Sequence, residues 1–390
     1  MCDLRTEYIT SDMTIGIDMR SLQKKTGGVQ EYTKHIVRSL IDTEQKHHYI
    51  LFTNAWKGSS LEDFPAQGPH HQICHTRIPN KVLHGAMTFA HRPRIDALIK
   101  KQTGIRPDLL FFPNIHFLCH DQRIPRVLTV HDLSFEHASD LFTPKDRLWY
   151  RLLSPRRAIV AASHICAVSE WTASDLEKTY GIAKERVTVT PIDGSDVGTV
   201  GLTRPESERR LVILFDGGNK RKNAEAAVLA WTILQNTWPD VVNGLMLMII
   251  GDWNPQKRRA LQRQHIPSIH LRDAVSDAER EELFSHAAAF LYPSLHEGFG
   301  MPLLEAARMR VPIITANHSS IGEVIGTGAS FVDPYNAYEI AHTLREVLAD
   351  STLRHDLCNT AQASASRFSW QRTAELTRSV FETVAACHPS

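Results

Sequence analysis

The sequence predicts an α/β protein made of two doubly wound domains, and three observations carry that expectation. Short apolar runs alternate with longer amphipathic segments along most of the chain, the pattern of parallel strands joined by crossover helices. The alternation breaks once, at "DGSDVGTVGLTRPESERR" (193–210), where Gly, Ser, Thr and Pro replace apolar periodicity and a linker is expected. At 390 residues the chain also exceeds the usual size of one domain, and each half is long enough to bury its own core.

Taken in order, the first half offers strands at "MTIGIDM" (13–19), "YILFT" (49–53), "DLLFFP" (108–113), "RVLTVHD" (126–132), "HICAVS" (164–169) and "RVTVTP" (186–191). A helix carrying Val29, Tyr32, Ile36 and Leu40 on one face separates the first two, and another starts near Ser169. After the linker come "LVILF" (211–215), "LMLMII" (245–250), "AAFLYP" (288–293), "VPIIT" (311–315) and "ASFVD" (329–333), continuous apolar runs of the buried parallel kind. The last segment, 368–386, reads as a helix capped by Ser369, with Leu376, Val380, Phe381 and Val384 on one stripe. The expected domains are 13–195, 208–367 and a terminal helix in 368–390.

Composition narrows the function. Lysine and arginine number 44 against 43 aspartate and glutamate, so no global field points to nucleic acid, and an anionic partner must be met by a local patch. The six cysteines are scattered without a CxxC pair, as expected of free thiols in a reducing, cytoplasmic setting. The N-terminus lacks the apolar core of a signal peptide, and no run reaches the 18 apolar residues of a spanning helix. Two H-x3-H patterns, His71 with His75 and His116 with His120, lie in strand or loop, where the i and i+4 positions do not share a helix face, so no metal site is expected.

The chemistry concentrates in "HEGFGMPLLEAARMRVP" (296–312). Two glycines within three residues allow close approach of backbone to a ligand, Pro302 suits the first helical position, and Pro312 marks the stop. This puts Glu297 in a loop and Glu305 in the helix's first turn, at the C-terminal end of a parallel strand, where open α/β sheets bind ligands. Carboxylates there suit the hydroxyls of a sugar or ribose; the competing reading leaves Glu305 to complement the helix dipole and Glu297 to solvent. A second cluster, "LFDGGNKRKNAEAAVLAW" (214–231), runs from a strand through Gly217 and Gly218 into Lys220, Arg221 and Lys222, with Asn223 as the expected helix cap. Cations at a helix start after a Gly-rich strand exit suit a pyrophosphate, although the segment is neither a Walker A loop nor G-x-G-x-x-G.

"EGFGMPLLEA" resembles the E-x7-E motif of family 4 glycosyltransferases, which have the GT-B fold, two Rossmann-like domains facing a central cleft, and retain anomeric configuration. "TGGVQEY" (26–32), "TVHDLSF" (129–135), "VSEWTASDL" (168–176), "GGNKRKN" (217–223) and "HSSIGEVIG" (318–326) occur in the family's order, so the resemblance covers nearly the whole chain. It implies a mannosyltransferase-like enzyme moving a hexose from a GDP- or UDP-linked donor to a glycan or lipid-linked acceptor in surface polysaccharide or glycolipid synthesis. It also implies that the C-terminal helix crosses back to the N-terminal domain.

Carried over residue by residue, Glu305 holds the ribose and Glu297 contacts the donor hexose. The backbone N–H groups of Gly298, Phe299, Gly300 and Met301 meet sugar hydroxyls or pyrophosphate. Lys222 and Arg221 neutralise the pyrophosphate, Gly217 belongs to the same loop, and Gly27 and Gly28 close on it from the other domain. His131 sits near the reacting sugar, and Ala274 and Val275 fall at the base pocket. Asp216 stands where many members carry an arginine. No metal cofactor is implied, because lysine, arginine and helix N-termini do the cation's work.

The segment 77–107 carries seven Lys or Arg against one Asp among apolar residues. Two roles are open to it, docking on an anionic membrane at about 1 kcal/mol per basic residue, which would make the protein peripheral at the inner face, or a solvated helix face. Competing functions on the same fold are a sugar-nucleotide epimerase, a phosphorylase and a non-catalytic nucleotide-sugar binding module.

Overall fold

A computed structural model describes residues 12–23, 27–44, 46–56, 61, 64–65, 67–194, 204–216, 219–251, 255–263, 266 and 268–388. They form two compact units. The first takes the chain up to His137, then Thr143–Ile192 and the segment from Ser369 onward; the second takes Ala138–Phe142 and Asp193–Phe368. The division therefore falls ahead of the expected 195.

The first unit is organised by an eight-stranded sheet of β1 (Thr14–Asp18), β2 (His48–Asn54), β3 (Gln67–Gly68), β4 (His71–Thr76), β5 (Leu109–Phe112), β6 (Arg126–Val130), β7 (His164–Ala167) and β8 (Val187–Val189). Their spatial order is β3-β4-β2-β1-β5-β6-β7-β8, parallel except for the short β3–β4 pair. Every residue of β5, β6 and β7 is buried, and the strands are apolar apart from Arg126, Thr129 and His164. The second unit has β9 (Leu211–Phe215), β10 (Met246–Ile250), β11 (Ile269–Arg272), β12 (Ala287–Tyr292), β13 (Ile313–Ala316) and β14 (Ala329–Val332), all parallel, in the order β11-β10-β9-β12-β13-β14. Trp231, fully buried on the helix Ala224–Thr237, sits in its core with Leu214, Leu247 and Leu291.

Strands β4 and β11 were not distinct apolar runs in the sequence. "HQICHT" has only Ile73 and Cys74 between polar residues and "IHLR" alternates apolar and polar; both are covered only in part, as suits strands at or next to a sheet margin.

Direction reverses between β1 and β5 in the first sheet and between β9 and β12 in the second. In each, the crevice beyond the C-terminal strand ends at that switch is the natural place for a ligand.

The terminal helix, Trp370–Cys387, begins at Ser369, whose side chain accepts from the Arg372 N–H. It packs within the first unit, against the helix Gly28–Asp42. Trp370 stacks on His35 at 5.1 Å, Phe381 meets Phe111 edge-on at 5.1 Å, and Thr373 donates to the Pro191 carbonyl at 2.6 Å. Arg378 donates to Glu44 at 3.3 Å and to Thr43 at 2.6 Å. Of the expected stripe, Val380, Phe381 and Val384 are buried and Leu376 only partly so.

The segment 77–107 is not one amphipathic helix. It divides into a short helix, Asn80–Gly85, a wider turn, Ala86–Ala90, and a second helix, Ile95–Thr103. Some of its charge is met locally, since Arg94 and Arg106 pair with Asp121 at 3.3 and 3.1 Å. No described helix is long and apolar enough to cross a membrane.

Phe381→Ala is expected to lower the stability of the first unit by about 3–5 kcal/mol, the cost of a cavity at a fully buried aromatic. Denaturant unfolding followed by fluorescence checks this, and a loss below 1 kcal/mol would show that the terminal helix is not part of that core.

Candidate active site

At the switch of the second sheet, two connections meet. One leaves β9 and the other leaves β12. After β9, Asn219 accepts from the Arg221 N–H at 3.0 Å and starts a tight 3-10 turn, Lys220–Lys222. Asn223 follows with φ 59° and begins the helix Ala224–Thr237. Its side chain does not cap that helix, contrary to the sequence expectation. The left-handed backbone turns it outward, and Nδ2 donates to the carbonyls of Pro293 at 3.1 Å and Pro334 at 2.7 Å. With the Leu295 N–H donating to Arg221 O at 2.7 Å, the basic turn is stitched directly onto the loop after β12.

That stitching brings Lys222 and Glu297 together. Lys222 Nζ donates to Glu297 Oε1 at 2.7 Å and to the Tyr292 hydroxyl at 2.6 Å, and it lies 4.6 Å from the Tyr292 ring centre. Burial lowers the Lys222 pKa, with only partial compensation from Glu297. On Glu297, burial works upward but the charges of Lys222 and Arg221 prevail and hold the carboxyl below its usual range. Burial, and then the Glu297 charge, keep the Tyr292 phenol protonated far above neutrality. The loop is fixed from its other side by Ser319, whose Oγ accepts the Glu297 N–H at 3.2 Å, and Ser320, which donates to the Glu297 carbonyl at 3.0 Å.

The glycine-broken turn ends at Gly300, with φ 100°; a Cβ there would lie 2.9 Å from Leu303 Cδ1. Because Gly300 is the cap, the helix runs Met301–Arg308. Pro302 is therefore its second residue, and Glu305 stands in the second turn, not the first as expected. The missing proline N–H is still among the four unpaired at a helix start. Glu305 is 1% exposed and accepts from Arg280 Nη1 at 3.0 Å. Arg280 comes from the helix Asp277–Ser285, which opens with a capping box of Ser276 and Glu279, and its guanidinium lies 5.8 Å from the Phe215 ring centre.

Other expected residues fall as follows. Gly298, Phe299 and Met301 are buried, with the Phe299 ring packed edge-on against Phe368 at 5.4 Å, so only its backbone is available to a ligand. Val275 is half-buried, directly before the Ser276 cap. Gly217 lies outside the described residues. Asp216 is buried at the end of β9, and its charge acts on Lys222. In the first unit, Gly27 has φ 141° and precedes Gly28, the first residue of its helix. His131 follows β6, donates through Nε2 to the Pro113 carbonyl at 2.9 Å and lies edge-on to Tyr32 at 4.8 Å. Burial lowers its pKa, so the ring is neutral and Nδ1 carries a lone pair.

Arg280, Tyr292, Ser319 and Ser320 were missed by sequence reasoning. Tyr292 left a signal as the last residue of the strand before the motif, and Ser319 and Ser320 lie in the quoted "HSSIGEVIG" segment without a role having been read for them. Among the described residues no cluster of three metal-ligating side chains occurs.

Both halves of the chain match family models, "Glycosyltransferase Family 4" over residues 26–192 and "Glycosyl transferases group 1" over 203–364. The chain belongs to glycosyltransferase family 4. Among relatives of this glycosyltransferase is the O-antigen chain mannosyltransferase B of Escherichia coli, 26% identical over 66% of this chain and 70% of that protein. The D-inositol 3-phosphate glycosyltransferase of Paenarthrobacter aurescens is 29% identical over 57% and 58%. The match to the serotype-specific mannosyltransferase WbdA of Escherichia coli covers 40% of this chain but only 20% of that protein. Anabaena HepE, solved with UDP and glucose, shares the fold with a TM-score of 0.68 at 18% identity, over 95% of this chain and 100% of that one. WaaG, a glycosyltransferase of lipopolysaccharide biosynthesis, gives 0.69 at 17%, over 94% and 99%. The fold is GT-B.

Glu297→Gln keeps the shape but removes the charge facing Lys222, and is expected to cost about 3 kcal/mol of stability in the second unit at pH 7, as when a buried pair loses one partner. Since the folded Glu297 carboxyl titrates below its unfolded value, its contribution is complete above about pH 4.3 and fades as pH falls through the folded value. Urea unfolding of both proteins at pH 7 and pH 3 checks this; the gap between them should shrink on acidification.

Proposed function

We propose that this glycosyltransferase moves a hexose, with mannose the first candidate, from a GDP- or UDP-linked donor to a glycan or lipid-linked acceptor in surface polysaccharide or glycolipid synthesis, with retention of anomeric configuration. The observation that carries the reading is the Lys222–Glu297 pair at the switch of the second sheet, with Glu305 held by Arg280 on the adjoining helix. The activities of the mannosyltransferase relatives support the sugar, and the UDP bound to HepE supports a nucleotide-linked donor.

A nucleotide-sugar already carries a good leaving group, so the enzyme's work is to orient the partners and to stabilise charge on the departing phosphate. Lys222 and Arg221 supply that positive charge. They do so in a partly buried turn, where it acts more strongly than in water. Glu297 lies beside Lys222 and steadies positive character on the sugar, while Glu305 receives the ribose hydroxyls. Gly217, the backbone of 298–301 and Val275 complete the donor contacts. In the first unit, neutral His131 orients a hydroxyl, and the Gly27–Gly28 helix start receives phosphate. The acceptor hydroxyl attacks on the face the nucleotide leaves, and a phosphate oxygen takes its proton.

With cations placed at the phosphate, turnover is expected without a divalent metal. The exposed Val82 and Phe89 in the 77–107 segment support contact with an anionic bilayer and a place at the cytoplasmic membrane face.

A panel of GDP- and UDP-hexoses tested by thermal shift, followed by turnover with acceptor and EDTA, tests the reading. One nucleotide-sugar is expected to raise the melting temperature, and transfer should need an acceptor and give a product of the donor's anomeric configuration. Inversion would overturn the mechanism; epimer formed from donor alone, or turnover dependent on phosphate, would place the chain with the epimerases or phosphorylases. Glu305→Ala is expected to weaken binding of the bare nucleotide at least tenfold, whereas Glu297→Gln should lower kcat a hundredfold or more and change nucleotide affinity less.

A further inference from the structure

A cavity of about 620 Å³ opens on the first unit, between the 86–94 turn, the 116–126 connection and the helices Pro144–Leu153 and Pro155–Val160. Its polar wall includes Arg126, Arg157 and His120, and its apolar wall includes Met87, Phe117 and Leu152.

Arg126 is the first residue of β6 and is 6% exposed, yet among the described residues it meets no carboxylate. Its Nη2 donates to the Ala158 carbonyl at 2.9 Å, Nη1 contacts His120 Nε2 at 3.2 Å, and Nε has no hydrogen-bond partner. A guanidinium can only donate, so His120 Nε2 must accept. The His120 Nδ1–H is then left for the Asp121 carbonyl at 2.7 Å. The imidazole is therefore neutral and supplies no counter-charge; burial and then Arg126 lower its pKa accordingly. Arg157 lies close enough to add repulsion, and burial followed by that repulsion lowers the Arg126 pKa to about 10.

The nearby carboxylates are already engaged. Asp121 pairs with Arg94 and Arg106, while Asp96 accepts the Asp121 N–H at 2.8 Å and lies 3.5 Å from Arg94. A buried cation without a counter-ion is costly in a folded protein, and an anion entering the cavity would relieve it. Arg126 also stands at the opposite end of β6 from His131, about 16 Å away at about 3.3 Å per residue. The cavity's basic wall is thus separate from the strand ends that carry the candidate catalytic residue.

The apolar wall narrows the ligand further. Leu152 is 44% exposed at the cavity and Phe89, on the adjoining turn, is 78% exposed. Inorganic phosphate would use the arginines and leave this surface in water.

We propose that this cavity binds a phosphate group carried on an apolar chain, with the phosphate between Arg126 and Arg157 and the chain against Met87, Phe117 and Leu152. The site is independent of the nucleotide-sugar reading.

Calorimetric titration of the full-length protein with octyl phosphate, below its aggregation threshold, tests the proposal against inorganic phosphate and octanol. Octyl phosphate is expected to bind at least tenfold more tightly than either. Arg157→Gln and Leu152→Asp, both at exposed positions that leave the core intact, should each weaken it about tenfold while UDP affinity stays unchanged; Arg126→Gln should abolish it. Binding no tighter than octanol, or unaffected by Arg157→Gln, overturns the site. Sedimentation with phosphatidic acid and phosphatidylcholine vesicles separates the sources. Phosphatidic acid binding that Arg157→Gln weakens extends the site to a bilayer phosphate. Vesicle binding without any response to free octyl phosphate overturns the cavity in favour of general surface charge.

Discussion

A lysine ammonium and a glutamate carboxylate can leave water together only if each supplies what the other loses, and the Lys222–Glu297 pair meets that condition at the head of the second sheet. Its geometry depends on both connections at once. The turn after β9 must present Lys222, and the loop after β12 must present Glu297, which is why Asn223, Arg221 and Leu295 join the two by hydrogen bonds. Tyr292, protonated and accepting a hydrogen bond from the ammonium at 2.6 Å, is its other partner. The pair thus keeps a cation ready in a place where an isolated lysine would lose its proton more easily. An incoming phosphate could replace the carboxylate as partner without the lysine having to be charged again.

The two glutamates of one motif have different neighbours. Glu297 is fixed by its backbone to Ser319 and Ser320 and by its side chain to Lys222; Glu305 is completely buried on a regular helix and held by Arg280. A glycosidase would need such carboxylates to flank one bond as acid and nucleophile. Here one carboxylate is committed to an ammonium and the other to a guanidinium, so neither is arranged as a proton donor.

Much of this was legible in the sequence because buried parallel strands must be apolar throughout and because glycine and proline mark where a chain turns. The runs that became β2, β5, β9, β10 and β12 to β14 follow from that rule, and glycine and proline place the "EGFG" loop at a strand end; β6 and β7 were read through their apolar residues despite Arg126 and His164, and β8 is only half-covered. Register within the motif was less legible. Gly300 takes a left-handed conformation and starts the helix at Met301, which moves Glu305 one residue deeper than Pro302 suggested and so into the second turn. Asn223 has the right chemistry for a cap, but its positive φ sends the side chain to Pro293 and Pro334 instead. Arg280 and Tyr292 were invisible as partners because a pairing across many residues of chain leaves no period to read. The orphaned Arg126 belongs to the same class: a strand-initial arginine looks solvated in sequence, and only the packing of the 116–126 connection and the helix Pro155–Val160 buries its head group.

In the proposed reaction Lys222 meets the diphosphate, with Glu297 holding it in readiness. The most direct test of that role compares affinities for a nucleoside diphosphate and the matching monophosphate in the native protein and in Lys222→Met. The native protein is expected to prefer the diphosphate, and Lys222→Met to lose at least tenfold in diphosphate affinity with little change for the monophosphate. Equal diphosphate binding by the two proteins, or an equal loss for both nucleotides, would contradict it.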